Sequence, residues 1–242
     1  FEIEQNDFYS SLIKMPSINS DITHNNLLLD MHLADVNGDG FDDLITGYGH
    51  GSSHSHLFIN NGSGEFSIES KIELPLSIYG LDNSLHLFTW SFDKDKDGDL
   101  DILILHSRYD PYYGGHTFQL LENDGTGILS DVTSTSFSYR NDSHFLGDRL
   151  EWSDRFDLID VNNDGFIDLV GSDKDGVMLF LGQEGMKFKE VSFLAVSPLT
   201  WTRAYFVKMK NGEVHALVWK DLYRSREDEY DFWVDHYKIS QN

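Results

Sequence analysis

The sequence predicts an all-β fold built from repeated four-stranded antiparallel sheets. Three observations support this prediction. An acidic loop recurs three times in the same phase, apolar runs rich in β-forming residues flank each copy, and a glycine-bearing turn follows the third apolar run of each unit. Recurrence of one strand–loop–strand unit indicates a repeat architecture. A chain of 242 residues can bury a large core, so we expect a single domain over residues 1–242.

The repeated element is an acidic loop that begins at residues 35, 93 and 160. Hard cations such as Ca²⁺ take roughly six to eight oxygen ligands, and alternating acidic side chains in a tight loop supply them. Glycine at position six allows the backbone to reverse direction. The pattern therefore predicts cation binding in each loop. Its members are Asp35, Asn37, Asp39, Gly40 and Asp43; Asp93, Asp95, Asp97, Gly98 and Asp101; and Asp160, Asn162, Asp164, Gly165 and Asp168.

Four strands are predicted in each unit, two of which flank the acidic loop. The flanking strands fall at 27–33 and 43–46, at 85–92 and 102–105, and at 156–159 and 169–170. The third strands fall at 56–59, 118–121 and 177–181, and more polar fourth strands at 65–73, 128–135 and 187–193. Four antiparallel strands per unit are typical of the blade of a β-propeller.

A fourth unit lacks the acidic ligands. Residues 205–218 predict a strand, an Asn-Gly turn and a strand, and residues 231–239 predict a third strand. Aligning its turn glycine with Gly40 places Val207, Met209, Asn211 and His215 at the ligand positions, a set that does not suit calcium. We expect the N-terminal run at 8–15 to complete this unit, which would close a ring of four blades and remove exposed edges.

The three loops, each followed by a strand and an Asn/Gly-rich turn, resemble FG-GAP/VCBS-type repeats, which occur in integrin α-subunit propellers and bacterial surface proteins. The resemblance covers about residues 7–240 and is weak in the fourth unit. It implies three calcium ions, one per loop, bound by side chains at positions one, three, five and nine and by the carbonyl at position seven. The family commonly builds more blades than the four for which this chain has room. The implied ligands are Asp35, Asn37, Asp39, Phe41 and Asp43; Asp93, Asp95, Asp97, Asp99 and Asp101; and Asp160, Asn162, Asp164, Phe166 and Asp168.

Composition restricts the partners and the environment. The formal net charge is −23, and the chain has no cysteine. Such a charge repels phosphate backbones and anionic membranes, so we expect no nucleic-acid partner. No apolar run approaches the roughly 20 residues that a membrane span requires. Because external calcium would suit the loops, we expect a secreted or cell-surface protein of bacterial origin, and a start at Phe1 predicts a processed form.

The face opposite the acidic loops carries the candidate ligand-binding residues. Aromatic rings beside Arg, His and Asp offer the stacking area and directional hydrogen bonds that carbohydrate or peptide recognition needs. Three of the histidines, at 50, 54 and 56, could also bind a transition metal. The candidates are His50, His54, His106, Tyr109, Tyr112, Tyr113, His116, Tyr139, Arg140, Arg149, Trp152, Tyr223 and Arg224.

We therefore expect a calcium-stabilised extracellular binding module that recognises glycan or protein ligands through this face. Two alternatives stay open. A polysaccharide-directed lyase or hydrolase would use histidine, tyrosine and arginine as base and charge stabiliser, although the sequence shows no nucleophile elbow, zincin helix or phosphate loop. A structural or assembly domain of a larger adhesin or toxin is the second alternative. No catalytic residue is assigned.

Overall fold

The computed structural model describes residues 27–49, 54–64, 66–110, 115–138, 156–173, 176–195, 200–222 and 232–239. The regular structure in these segments is almost entirely strand, arranged in four sheets that follow one another along the chain. Within this part of the chain, no helix is long and apolar enough to cross a membrane. The predicted closing strand at 8–15 lies outside the described residues, so ring closure stays a prediction.

Each sheet corresponds to one predicted unit. Sheet 1 contains β1 (Leu27–Ala34), β2 (Asp43–Gly49), β3 (His56–Phe58) and β4 (Lys71–Glu73). Sheet 2 contains β5 (Ser84–Phe92), β6 (Asp101–Arg108), β7 (His116–Asn123) and β8 (Leu129–Asp131). Sheet 3 has β9 (Phe137–Ser138) at its edge, after β10 (Phe156–Ile159), β11 (Asp168–Asp173), β12 (Gly176–Gln183) and β13 (Lys187–Ala195). Sheet 4 contains β14 (Thr200–Lys208), β15 (Val214–Leu222) and β16 (Phe232–Ile239).

The prediction of repeated antiparallel sheets is confirmed, but two of the fourth strands are much shorter than predicted. β4 and β8 have 3 residues each, next to a 3-10 helix (Ile68–Ser70) and a short helix α1 (Thr133–Ser136). The side chain of Asp131 accepts the amide of Thr133 at 2.9 Å, and the carbonyl of Val132 accepts the amide of Thr135 at 3.1 Å. These local hydrogen bonds satisfy the backbone in a turn and end the strand.

The sheets pack face to face, and β6 shows this most clearly. Four consecutive β6 residues, Ile102 to Leu105, are 0% exposed. Successive side chains of a strand point to opposite faces. Accordingly Ile102 and Ile104 belong to the core shared with sheet 1, whereas Leu103 and Leu105 belong to the core shared with sheet 3. A continuous apolar run is therefore the pattern of a strand covered on both faces.

The strand β9 was not predicted, and it joins sheets 2 and 3. Its residue Phe137 pairs in parallel with Phe188 of β13. The Phe137 ring lies 5.2 Å from the ring of Phe188 and 5.7 Å from the ring of Phe118 on β7, nearly parallel to both. Buried aromatic pairs contribute about 0.5–1.5 kcal/mol each beyond their buried area. A segment between two units thus becomes part of the core.

Gly182 marks a close approach of the backbone at the end of β12, at the place where the first two units have an asparagine. A Cβ atom there would lie 2.2 Å from the carbonyl oxygen of Ile167. We expect Gly182→Ala to lower the free energy of unfolding by about 1–3 kcal/mol, because the backbone must shift to relieve the overlap. Urea denaturation measures this, with the exposed neighbour Gln183→Ala as the control. An unchanged midpoint for Gly182→Ala would contradict the prediction.

Candidate metal centres and the opposite face

The first and third acidic loops are held by the same set of hydrogen bonds. The carboxylate of Asp35 accepts the amides of Asp39 at 3.0 Å and Gly40 at 2.8 Å. The side-chain amide of Asn37 donates to the Asp39 carboxylate at 3.1 Å. These bonds draw the oxygen atoms at positions one, three and five together. The third loop repeats them with Asp160, Asn162, Asp164 and Gly165.

The position-seven residues, whose carbonyls are implied ligands, lie within the same turn in every loop. Each donates its backbone amide to the carboxylate at position five. This bond fixes the path of the backbone immediately before position nine. The donors are Phe41 at 2.9 Å, Asp99 at 3.2 Å and Phe166 at 2.8 Å.

The second loop has the strongest signature of a cation site. Asp93, Asp95 and Asp97 offer carboxylate oxygen atoms that all lie within 4.8 Å of one another. Oδ1 of Asp93 is buried and has no hydrogen-bond partner among the described residues. Burial and the neighbouring Asp97 carboxylate raise the pKa of Asp95. A buried carboxylate oxygen is costly unless a donor or a metal ion compensates its charge, so these residues fit a hard cation such as Ca²⁺.

The position-nine aspartates lie behind the loops, and we call Asp43, Asp101 and Asp168 the latch aspartates. Asp101 is 1% exposed, and its two oxygen atoms accept the amides of Lys94 and Asn123, both at 3.0 Å. Burial raises the pKa of Asp101 to about 6, although the amide donors oppose the shift. Each latch joins the start of its loop to the turn after the third strand. Asp43 and Asp168 each accept the two corresponding backbone amides, at 2.7–3.1 Å.

Sequence reasoning did not foresee this latch geometry. It proposed these side chains as calcium ligands, and that role stays a prediction. The structure shows that both oxygen atoms of each carboxylate accept a backbone amide. The donors from the turn lie 14 to 22 residues along the chain from their acceptors. A loop motif alone therefore carries no signal for these bonds.

The loop of one sheet also contacts the turn or hairpin of the next sheet. The side-chain amide of Asn123 donates to the carbonyl of Val36 at 2.7 Å, which joins sheet 2 to the first loop. The side-chain amide of Asn163 donates to the carbonyl of Gly212 at 3.0 Å, which joins the third loop to sheet 4. The loops and the glycine turns therefore lie at the same end of the sheets.

Lys94 makes the corresponding connection between the second loop and sheet 3. Its ammonium group donates to the carbonyls of Gln183 and Gly185, both at 3.0 Å, and lies 4.6 Å from the centre of the Phe188 ring. Burial lowers the pKa of Lys94 to about 8. Sequence reasoning missed this residue. The sequence does contain a signal for it: position two of the loop is lysine here, whereas it is valine in the other two loops.

Four of the candidate ligand-binding residues lie in the described segments. Tyr109 is 37% exposed, and Nε2 of His54 lies 3.8 Å from a carboxylate oxygen of Glu73. His106 and His116 lie within β6 and β7 and are 3% and 8% exposed, whereas the predicted strands ended at residue 105 and began at residue 118. Those strands extend further than predicted and carry both side chains into the core. The remaining candidates lie outside the described residues: His50, Tyr112, Tyr113, Tyr139, Arg140, Arg149, Trp152, Tyr223 and Arg224.

His106 belongs to a buried polar network between sheets 1 and 2. Its Nδ1 lies 2.9 Å from the hydroxyl of Ser84 and its Nε2 lies 2.9 Å from Oε1 of Gln119. The ring of His86, which sequence reasoning missed, lies 5.3 Å away, with Nδ1 2.7 Å from the hydroxyl of Ser55. Burial lowers the pKa of His106 to about 3 and also lowers that of His86. Both are therefore neutral, hydrogen-bonded residues of the interior.

A pocket of about 320 Å³ opens at the end of sheet 2 opposite the acidic loops. The connection between sheets 1 and 2 forms one wall, where Leu76 and Ile78 are 46% and 52% exposed. The start of β7 and the helix α1 form the other wall. The side-chain amide of Gln119 spans the two, since it donates to the carbonyl of Leu76 at 3.1 Å and to Asp131 at 2.8 Å. Ser134 lies at the α1 side.

Comparisons with known proteins agree with the repeat architecture. Residues 35–104, which contain the first two acidic loops, match the FG-GAP-like repeat. The resemblance of the loops to FG-GAP-type repeats is thereby confirmed. No curated protein matches the sequence.

The fold is similar to that of a solved lectin from Agrocybe aegerita, described as specifically recognising non-reducing terminal N-acetylglucosamine. The TM-score is 0.52 at 18% sequence identity, and the match covers 86% of this chain and 52% of the lectin chain. This chain thus spans about half the length of the lectin chain. At this identity the similarity concerns the fold alone, which is propeller-like.

Proposed function

We propose that this chain is a calcium-stabilised β-propeller module, secreted or displayed at the cell surface, that binds glycans through the face opposite the acidic loops. The four sheets are its blades, and the acidic loops are its metal sites. The pocket at the end of sheet 2 is the observation that carries the proposal, because it combines apolar walls with a carboxylate on that face.

Calcium is the cation that suits the loops best. Their donors are carboxylate, amide and carbonyl oxygen atoms, which hard cations prefer over softer metals. The Asp93 oxygen that is buried without a partner among the described residues supports an ion in the second loop. We propose one ion in each of the three loops. Its role is structural, because it offsets the repulsion between carboxylates at the place where each loop contacts the next sheet.

The pocket has the chemistry that a sugar ring requires. Its volume of about 320 Å³ is close to the lower end of ligand pockets, about 300–1,000 Å³. The exposed side chains of Leu76 and Ile78 offer an apolar surface to the C–H face of a sugar. The carboxylate of Asp131 accepts hydrogen bonds only, and sugar hydroxyl and acetamido groups donate them. The specificity of the lectin for N-acetylglucosamine supports testing this sugar first.

The enzyme alternative finds less support among the described residues. Of the histidines proposed as a base, His106 is buried, and both its ring nitrogens are within hydrogen-bond distance of a protein oxygen. A general base must reach the proton that it removes from a substrate. The geometry of His106 therefore favours a structural role.

The pocket proposal is tested by calorimetry with N-acetylglucosamine and by a glycan array. We expect Ser134→Trp to abolish binding by filling the pocket. Asp131→Asn should weaken binding about tenfold, because a charged acceptor is lost and the single amide oxygen cannot accept from both Gln119 and Thr133. Glu69→Gln, on the exposed helix of sheet 1, is the control and should bind as the wild type does. Undiminished binding by Ser134→Trp would contradict the proposed site, and absence of binding to every arrayed glycan would contradict the function.

A further inference from the structure

The outward face of sheet 4 brings two histidines together from adjacent strands. His215 lies on β15 and His236 lies on β16, and the two strands pair in antiparallel orientation. His236 is opposite Leu217, two residues from His215, so the histidines are diagonal neighbours on one face. Nδ1 of His215 lies 2.6 Å from Nε2 of His236.

The two imidazole rings meet at these nitrogen atoms. Their planes differ by 18° and their centres are 4.9 Å apart, far more than the 2.6 Å between the nitrogens. The rings therefore lie edge to edge, with one nitrogen of each aimed at the other. Two neighbouring imidazole nitrogens are the donor set that Cu²⁺, Zn²⁺ and Ni²⁺ prefer.

Glu213 determines which nitrogen of His215 is available. Its Oε2 lies 3.4 Å from Nε2 of His215, on the side of the ring away from His236. An ionised carboxylate only accepts hydrogen bonds, so Nε2 of His215 carries a hydrogen and Nδ1 accepts a hydrogen bond from Nε2 of His236. A metal ion would take the place of the Nε2 hydrogen of His236, which moves to the other nitrogen of that ring. Lys238, on the neighbouring strand, forms an ion pair with the other oxygen of Glu213 and holds it in place. Metal-binding histidines commonly donate their second ring nitrogen to such a carboxylate.

We propose that Nδ1 of His215 and Nε2 of His236 bind a transition-metal ion of the Cu²⁺, Zn²⁺ or Ni²⁺ class, with Glu213 as a positioning residue. Zinc–nitrogen bonds of about 2.0–2.1 Å at a tetrahedral angle place two ligand nitrogens about 3.3 Å apart, so binding separates the nitrogens by less than about an ångström and turns the rings until both lone pairs point at the ion. His215 is the second residue of β15, beside the hairpin turn. Among the described residues its side chain is 18% exposed and His236 is exposed, so an ion can reach the pair from that end of sheet 4 and keep water in its other positions. The site uses nitrogen ligands and is independent of the oxygen-rich calcium loops.

The test titrates Zn²⁺ into the full chain in calcium-containing buffer by calorimetry and records the Cu²⁺ electron paramagnetic resonance spectrum. We expect nitrogen couplings from two imidazoles in the wild type. His215→Ala or His236→Ala should weaken Zn²⁺ binding at least about tenfold and remove one nitrogen coupling. Because both side chains reach the surface, the thermal unfolding temperature should stay within a few degrees of the wild type, roughly what a surface substitution produces.

Substitutions at Glu213 and His54 test the positioning role and the location of the bound ion. Glu213→Ala should weaken Zn²⁺ binding about tenfold, and Glu213→Gln, whose Oε1 still accepts the Nε2 hydrogen, should restore part of it. His54→Ala removes another histidine that lies beside a glutamate and should leave binding unchanged. Wild-type affinity in the double variant His215→Ala/His236→Ala, or an equal loss in His54→Ala, would overturn the proposal.

Discussion

Replacing Asp101 by alanine is expected to lower the free energy of unfolding by about 2–6 kcal/mol. The substitution leaves the buried amides of Lys94 and Asn123 without acceptors, and each unsatisfied buried group costs about 1–3 kcal/mol. Urea denaturation with and without calcium measures the effect. Because the lost bonds join protein atoms, the destabilisation should persist in a chelator.

A matched substitution in the same loop separates the latch from the ion. Asp95→Asn gives the second loop the asparagine that the first and third loops already have at position three. In a chelator it should leave the free energy of unfolding unchanged or raise it slightly, because it removes one of three crowded carboxylates and no latch bond. If Asp101→Ala destabilises the protein only when calcium is present, then Asp101 acts through the ion and the latch interpretation is wrong.

Withdrawal of calcium is expected to have a comparable or larger effect. An ion at about a hundredfold excess over its Kd stabilises the folded state by about 2.7 kcal/mol per site, so three sites contribute about 8 kcal/mol. For a chain of this size that corresponds to a fall of about 15–30 °C in the thermal unfolding midpoint. The physical reason is that each loop loses its oxygen-bound ion, and the carboxylates crowded in the second loop repel one another once the ion is removed.

Differential scanning calorimetry in calcium, in magnesium and in EDTA measures this fall. Magnesium should restore little of the stability, because it demands a smaller octahedral set of ligands and gives up its water reluctantly. Asp93→Asn removes the carboxylate whose buried oxygen lacks a partner in the described part of the chain, and it should reduce the calcium-dependent shift by about one third, the share of one site in three. An unfolding midpoint that is the same in calcium and in EDTA would show that calcium does not stabilise the fold.

Much of the fold could be predicted because its information is local. The spacing of Asp35, Asn37 and Asp39 predicted a tight loop, and the structure shows these side chains bonded to one another and to nearby amides. The apolar runs on both sides predicted the strands that pair across that loop. The two strands of such a hairpin are close in the sequence, so a pattern in a short stretch of sequence is sufficient to predict them.

The candidate site was less predictable, because its contacts join distant parts of the chain. Lys94 binds carbonyl groups 89 and 91 residues further along the chain. The predicted strand ended at residue 105, whereas β6 continues past His106 and packing buries the ring of this residue. The pairing of Phe137 with sheet 3 similarly spans about fifty residues. No local pattern reports whether a neighbouring sheet will cover a side chain.

The sequence by itself determined the repeated strand–loop–strand unit and the acidic composition of its loops, since both depend on residues a few positions apart. Tertiary structure alone decided that the position-nine aspartates are latches, that His86 and His106 lie in the interior, and that His215 faces His236. The physical reason is the stacking of sheets. Packing one sheet against the next removes water from some polar side chains and gives them partners that are remote in the sequence.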